Sequence, residues 1–152
     1  MKILTVLLLL LPALAVHSQS AETIDSLLER DSISLADAAY ILLGSADMIE
    51  PDGDSEEAFL QLQQVIPRYQ GADPSAPASM ADISLIGNQL FEVPPGLLMR
   101  ITGSPRYAFR DARYRRIMQS SANPNDPVSG EAALRIANRY AEYVERGRPA
   151  RM

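Results

Sequence analysis

Ile33-Ser34-Leu35-Ala36-Asp37-Ala38-Ala39 reads as the opening of a helix from local chemistry alone. The Ser34 hydroxyl can accept a hydrogen bond from a first-turn amide, and Asp37, three residues on, can take the Ser34 N–H in return. That is a capping box with Asp in place of the usual Glu or Gln. Behind it Leu35, Ala38, Ala39, Leu42, Ala46 and Ile49 recur at helical spacing and predict a helix to about Ile49. Two later stretches start alike: Ala78-Ser79-Met80-Ala81-Asp82-Ile83-Ser84 and Val128-Ser129-Gly130-Glu131-Ala132-Ala133, 45 residues after Ser34 and a further 50 on. Two readings stay open. Either these are repeat units starting near 33, 78 and 128, or three helices independently use Ser caps and early acids to serve free amides and the helix dipole.

Working outward, Thr23 to Arg30 carries Ile24, Leu27 and Leu28 on one side and predicts a short helix. Ser55 is placed to cap a helix carrying Ala58, Phe59, Leu62, Val65 and Ile66 up to Pro67. Gln70 to Ala78, with Gly71, Asp73, Pro74, Ser75 and Pro77, reads as an internal linker. The Ser79 helix carries Ile83, Ile86, Leu90 and Phe91 until Val93-Pro94-Pro95-Gly96 stops it. Leu97 to Ile101 reads as a single apolar turn that plugs the core. Pro105 opens a helix to about Gln119, and the Ser129 helix buries Ala133, Ile136, Ala137, Tyr140 and Val144. No segment alternates with a period of two. The expected fold is therefore all-α, a compact bundle of five or six short helices.

The chain opens with Met1-Lys2 and an apolar run from Ile3 to Ala15, then small and polar residues to Ala21. The run is too short to span a bilayer, and its charged start and small-residue exit are those of a secretory signal peptide over residues 1–20, cleaved after Ser18 or Ser20, the alternative being an uncleaved tether to the membrane. An all-α domain over 21–146 and a tail over 147–152 would follow. The expected protein is exported, whether periplasmic, bound to the cell envelope or secreted, with no integral membrane span after cleavage. No Cys follows the run, so a lipid-modified cysteine is excluded.

Composition narrows the chemistry. At 152 residues, 47% of them hydrophobic and 22% charged, the chain suits one globular domain. It has no Cys and no Trp, and its one His (His17) and one Lys (Lys2) both precede residue 21. Disulfides, thiol nucleophiles, imidazole metal sites, Ser-His-Asp triads and Schiff bases are then outside the domain's means. No cofactor, metal site or catalytic residue is expected. Asp52-Gly53-Asp54-Ser55-Glu56-Glu57 spaces its carboxylates like a calcium loop, but Glu57 stands where Gly is needed and Gln63 where a bidentate Glu is needed. A solvated turn before a capped helix accounts for it.

The remaining charge is uneven. Gln19 to Pro95 holds fourteen acids against Arg30 and Arg68, a balance of −12, whereas Gly96 to Met152 holds eleven arginines against five acids, a balance of +6. Either the halves neutralise each other on folding, or the arginine half faces an anionic partner. The densest run is Arg106 to Arg116, where Arg106, Arg110 and Arg113 share one helical face and Tyr107, Asp111, Tyr114 and Met118 an adjacent one. Guanidinium forks suit phosphate and carboxylate groups, and tyrosines stack on sugar rings. Arg106, Tyr107, Arg110, Arg113 and Tyr114 are thus the candidate binding residues, for a cell-wall or other anionic glycan polymer or, alternatively, for an envelope protein docking on the same helix. Against that stands a plainer role for Tyr107, Phe109 and Ile117 in the core, with the arginines paired to the acidic half. Export and the acidic total argue against nucleic acid.

Asn123-Pro124-Asn125-Asp126-Pro127-Val128-Ser129-Gly130-Glu131-Ala132-Ala133-Leu134-Arg135-Ile136-Ala137 resembles the closing part of an S-layer homology repeat, and Ile33 to Leu43 resembles another such helix start. The resemblance implies helical modules grouped in threes that hold exported proteins on cell-wall polymers. It covers 30 to 40 residues in pieces. The Gly-aromatic-Pro-Asp-Gly turn of such repeats is missing, with Gln119-Ser120-Ser121-Ala122 in its place. The basic residue expected after the cap is Leu35, Met80 or Gly130. The resemblance therefore bears on organisation more than on the polymer site.

Overall fold

The three Ser-capped starts meet. In the computed structural model, which describes residues 22–50, 53–119 and 121–147, the residue before each cap donates its N–H to the carbonyl of another. Ile33 donates to Val128 (2.9 Å), Val128 to Ala78 (3.1 Å) and Ala78 to Ile33 (2.9 Å). The three bonds form a closed ring, and all three side chains are buried. The expected signal peptide, Asp52 of the carboxylate run and residues 148–152 of the expected tail lie outside the described residues.

Helix α1 spans residues 22–28. It is followed by α2 (Leu35–Ser45), α3 (Ser55–Val65), a 3-10 turn (Pro67–Tyr69), α4 (Met80–Leu90), α5 (Leu97–Thr102), α6 (Pro105–Tyr114) and α7 (Gly130–Gly147). The fold is all-α. Extended pairing among the described residues is confined to two isolated bridges, Ser34 with Pro77 and Ser79 with Pro127. The capped helices α2, α4 and α7 pack on one another, while α3 covers α2 and α6 covers α4. Helix α1 reaches the start of α7, where the Gly130 N–H donates to the Arg30 carbonyl at 3.0 Å.

Capping behaves as the residues dictate at two of the three starts. Ser34 with Asp37 and Ser79 with Asp82 form reciprocal boxes. Asp37 also accepts from Arg30 at 2.9 Å and from the Ser55 hydroxyl at 3.1 Å, which leaves Ser55 free of the cap it was expected to provide; Asp54 caps α3 instead. At the third start Ser129 accepts from the Ala132 N–H, but Glu131 stands one position early and pairs with Arg135.

The expected linker is a strut. Helix first-turn amides need acceptors from outside the helix. The Leu35 and Ala36 N–H groups donate to Ala76 and Pro74, and the Met80 and Ala81 N–H groups donate to Asp126 and Pro124. Each Pro-rich loop thus closes the preceding capped helix, which is why residues that break helices occupy it without loosening the fold.

Helix ends were less legible. α2, α4 and α6 stop at residues followed by left-handed Asp47 (φ 55°), Glu92 (φ 51°) and Arg116 (φ 62°). After each, the next N–H reaches back across the last turn: Met48 to Leu43, Val93 to Asn88 and Ile117 to Ala112. This is the Schellman closure usually made with Gly. It ends α2 at Ser45 rather than near Ile49, and α6 at Tyr114 rather than near Gln119. Met118 is buried beyond the helix. The Leu97 to Ile101 turn does not plug the core: of α5 only Met99 is buried.

One tyrosine fixes α4, α6 and α7 together. The buried Tyr140 hydroxyl donates between Asn88 Oδ1 (2.9 Å) and the Ser84 carbonyl (3.1 Å), while Asn88 Nδ2 donates to the Ala108 carbonyl at 3.2 Å. Its ring stacks on Phe91 at 5.6 Å and lies so close to Gly87 that a Cβ there would stand 2.3 Å from it. Burial pushes the Tyr140 phenol well above its usual range, so it stays a protonated donor.

Candidate functional site

The Schellman turn at Arg116 folds the chain after α6 back toward α7. Between them lies an open cleft of about 1160 Å³ lined by six arginines, Arg110, Arg113, Arg115, Arg116, Arg139 and Arg146, with Glu142 as its single acid. Glu142 is engaged by Arg146 at 2.8 Å. Two of the six are structural. Arg115 donates to the Tyr143 hydroxyl at 2.8 Å and to the Pro94 carbonyl at 2.5 Å, and Arg139 donates to the Ile117 carbonyl at 3.2 Å. Arg115 Nε is buried with no partner among the described residues.

Arg110, Arg113 and Arg116 are exposed, and none joins an ion pair among the described residues. Aromatic rings hold two of them: Arg110 lies 5.7 Å from the Tyr107 ring centre and Arg113 lies 5.8 Å from that of Phe109. Tyr114 is 89% exposed at the cleft wall, an unusual setting for a large aromatic side chain. Among the described residues the three ion pairs are Arg30 with Asp37, Arg135 with Glu131 and Arg146 with Glu142, and none joins the acidic half to the arginine half. The expected pairing of these arginines with the acidic half is therefore not seen among the described residues, where two of the acids, Asp37 and Asp82, serve helix caps.

Of the five residues expected to bind, the structure brings Arg110, Arg113 and Tyr114 into the cleft. Arg106 is exposed outside it, and Tyr107 packs half-buried against the core beneath Arg110. Phe109 and Ile117 are core residues, as the plainer reading had it. Reading one helix at a time missed Arg115, Arg116, Arg139 and Arg146. A signal existed, since Arg139, Glu142 and Arg146 repeat at spacings of three and four and so share a face of α7. What no single-helix reading supplies is that this face lies across from α6.

The cleft presents several guanidinium groups, whose planar forks are suited to phosphate, sulfate and carboxylate groups. Among the described residues no group of three or more acids or imidazoles is placed to hold a metal ion. No family model, curated protein or solved structure matches the chain.

Proposed function

We propose that the protein is an exported, noncatalytic module of the cell envelope that binds an anionic glycan or cell-wall polymer in the cleft between α6 and α7. The observation that carries this reading is the set of three exposed arginines, Arg110, Arg113 and Arg116, without an ion pair among the described residues and converging with Tyr114 on one cleft. Guanidinium groups held over rings keep their forks free for phosphate, sulfate or carboxylate, and an open trough suits a chain that enters and leaves at both ends. The meeting of three Ser-capped helices in one ring supports the wall-module reading drawn from the S-layer homology resemblance.

Retention on immobilised heparin, with neutral dextran as control, tests the polymer reading. The Arg110→Ala/Arg113→Ala/Arg116→Ala variant is expected to elute at much lower salt than wild type, while Arg106→Ala, outside the cleft, elutes with wild type. Each charge lost lowers the logarithmic salt dependence by about one unit, since each bound cation releases one counterion. Equal retention of the triple variant and wild type would remove the cleft from the reading. Retention of neither, with capture of an envelope protein instead, would favour a docking subunit.

A further inference from the structure

Helix α5 faces the wrong way for a core element. Leu97 and Ile101 stand one turn apart, opposite the buried Met99, and are 72% and 71% exposed, with Leu98 beside them at 44%. The helix is not loose. The Gly96 N–H donates to Asp111 Oδ2 at 2.7 Å, Arg115 ties the Pro94 carbonyl, and Gly103 in the left-handed region (φ 60°) turns the chain into α6. With its start held near Asp111 and its end leading into Pro105, α5 lies antiparallel on α6 as a hairpin. Arg100, Arg106, Arg110 and Arg113 are exposed on that hairpin and unpaired among the described residues. Its one acid, Asp111, is occupied by Gly96.

We infer that this hairpin seats the protein on an anionic lipid bilayer, with Leu97, Leu98 and Ile101 entering the boundary between headgroups and acyl chains and the arginines meeting lipid phosphates. The inference goes beyond the polymer cleft and does not rest on it. A bilayer suits the patch better than a protein does. Three side chains supply only a few hundred Å², short of the about 800 Å² per partner that a stable protein interface covers. Shallow insertion, by contrast, needs little apolar area when several cations add a second attachment. A twofold contact between copies is opposed by charge, since it would bring two arginine-rich hairpins face to face. Among the described residues no helix is long and apolar enough to cross a membrane. The contact is therefore peripheral.

The test is co-sedimentation of the protein, in the form the cell releases, with vesicles of phosphatidylcholine alone and of phosphatidylcholine mixed with phosphatidylglycerol. Wild type is expected to bind the anionic vesicles about tenfold more tightly than the neutral ones, and to be released by high salt. Leu97→Ser/Ile101→Ser, which alters exposed positions only, is expected to lose about tenfold in vesicle binding with an unchanged circular dichroism spectrum and unchanged heparin retention. Arg100→Ala/Arg106→Ala, outside the cleft, is expected to do the same. The proposal is overturned if wild type binds neither vesicle or both equally, or if Leu97→Ser/Ile101→Ser binds like wild type. It is also overturned if the apolar pair governs concentration-dependent dimerisation instead. Arg110 and Arg113 belong to both surfaces, so this proposal is judged on Leu97→Ser/Ile101→Ser and Arg100→Ala/Arg106→Ala, which leave the cleft intact, and the polymer reading on heparin retention alone.

Discussion

Replacing Arg116 by glycine should move stability and binding in opposite directions. Arg116 closes α6 in the left-handed region at φ 62°, while the Ile117 N–H bonds back to the Ala112 carbonyl at 2.9 Å. An L-residue pays about 1–2 kcal/mol for that conformation. Glycine avoids this but returns about 0.5–1 kcal/mol as extra freedom in the unfolded chain. The net expectation for Arg116→Gly is a gain of about 0.5–1 kcal/mol, or roughly 2–6 °C in Tm for a domain of this size. Arg116→Ala keeps the strained backbone and should leave stability within about 0.5 kcal/mol of wild type. Both variants remove a guanidinium from the cleft and should elute earlier from heparin by the same amount. Urea melts and heparin elution on the three proteins separate backbone from charge. If Arg116→Gly is no more stable than Arg116→Ala, the left-handed closure of α6 is refuted. If both elute with wild type, Arg116 has no part in binding.

Further expectations concern the frame around the cleft. Tyr140→Phe strips the donor from the buried Asn88 Oδ1 and should cost about 1–3 kcal/mol in a urea melt. A cost near zero would mean that the hydroxyl does not join α7 to α4. Gly130→Ala would set a Cβ 1.8 Å from the Leu27 carbonyl oxygen. Because that neighbour is backbone, the variant should lose about 3 kcal/mol or fail to fold, and a wild-type melting curve would contradict the seating of α1 on α7. Burial holds the phenols of Tyr69 and Tyr140 far above the ordinary value of 10.0, with Asp82 adding to the effect at Tyr69. Below pH 10 both states keep these protons and stability is unaffected by them. Above it the unfolded chain releases them first, so each tyrosine should subtract about 1.4 kcal/mol per pH unit. Urea midpoints that stay flat between about pH 10 and 12 would refute this.

How far the site was legible follows from the range of the interactions that build it. Ser34 with Asp37 and Ser79 with Asp82 are contacts three residues apart, so their boxes could be read directly. The apolar spacing behind them, likewise local, was enough for the all-α class. Arg110, Arg113 and Tyr114 were found because one helix sets their spacing. Arg139 and Arg146 complete the cleft from another helix, and long-range bonds set α7 across from α6: Tyr140 to Asn88 and Ser84, Arg115 to Tyr143, and Arg139 to the Ile117 carbonyl.

The errors have the same origin. Glu92 and Arg116 end helices without the glycine usual at such turns because the next residue, Val93 or Ile117, is buried just beyond the turn and makes the strained conformation worth keeping; Asp47 does so with Met48 exposed after it. Leu97 to Ile101 is apolar enough for a core, yet Gly96 bonded to Asp111 fixes the helix with only Met99 inward. The helical class, the Ser34 and Ser79 capping boxes and a chemistry without thiol, imidazole or lysine amine in residues 21–152 were legible in the chain, since these depend on residue type and near neighbours. Which arginines share a cleft and which apolar side chains face outward is set by packing between distant elements. Those outcomes depend on which distant backbone groups close each turn, as the ring of Ile33, Ala78 and Val128 does for the fold as a whole.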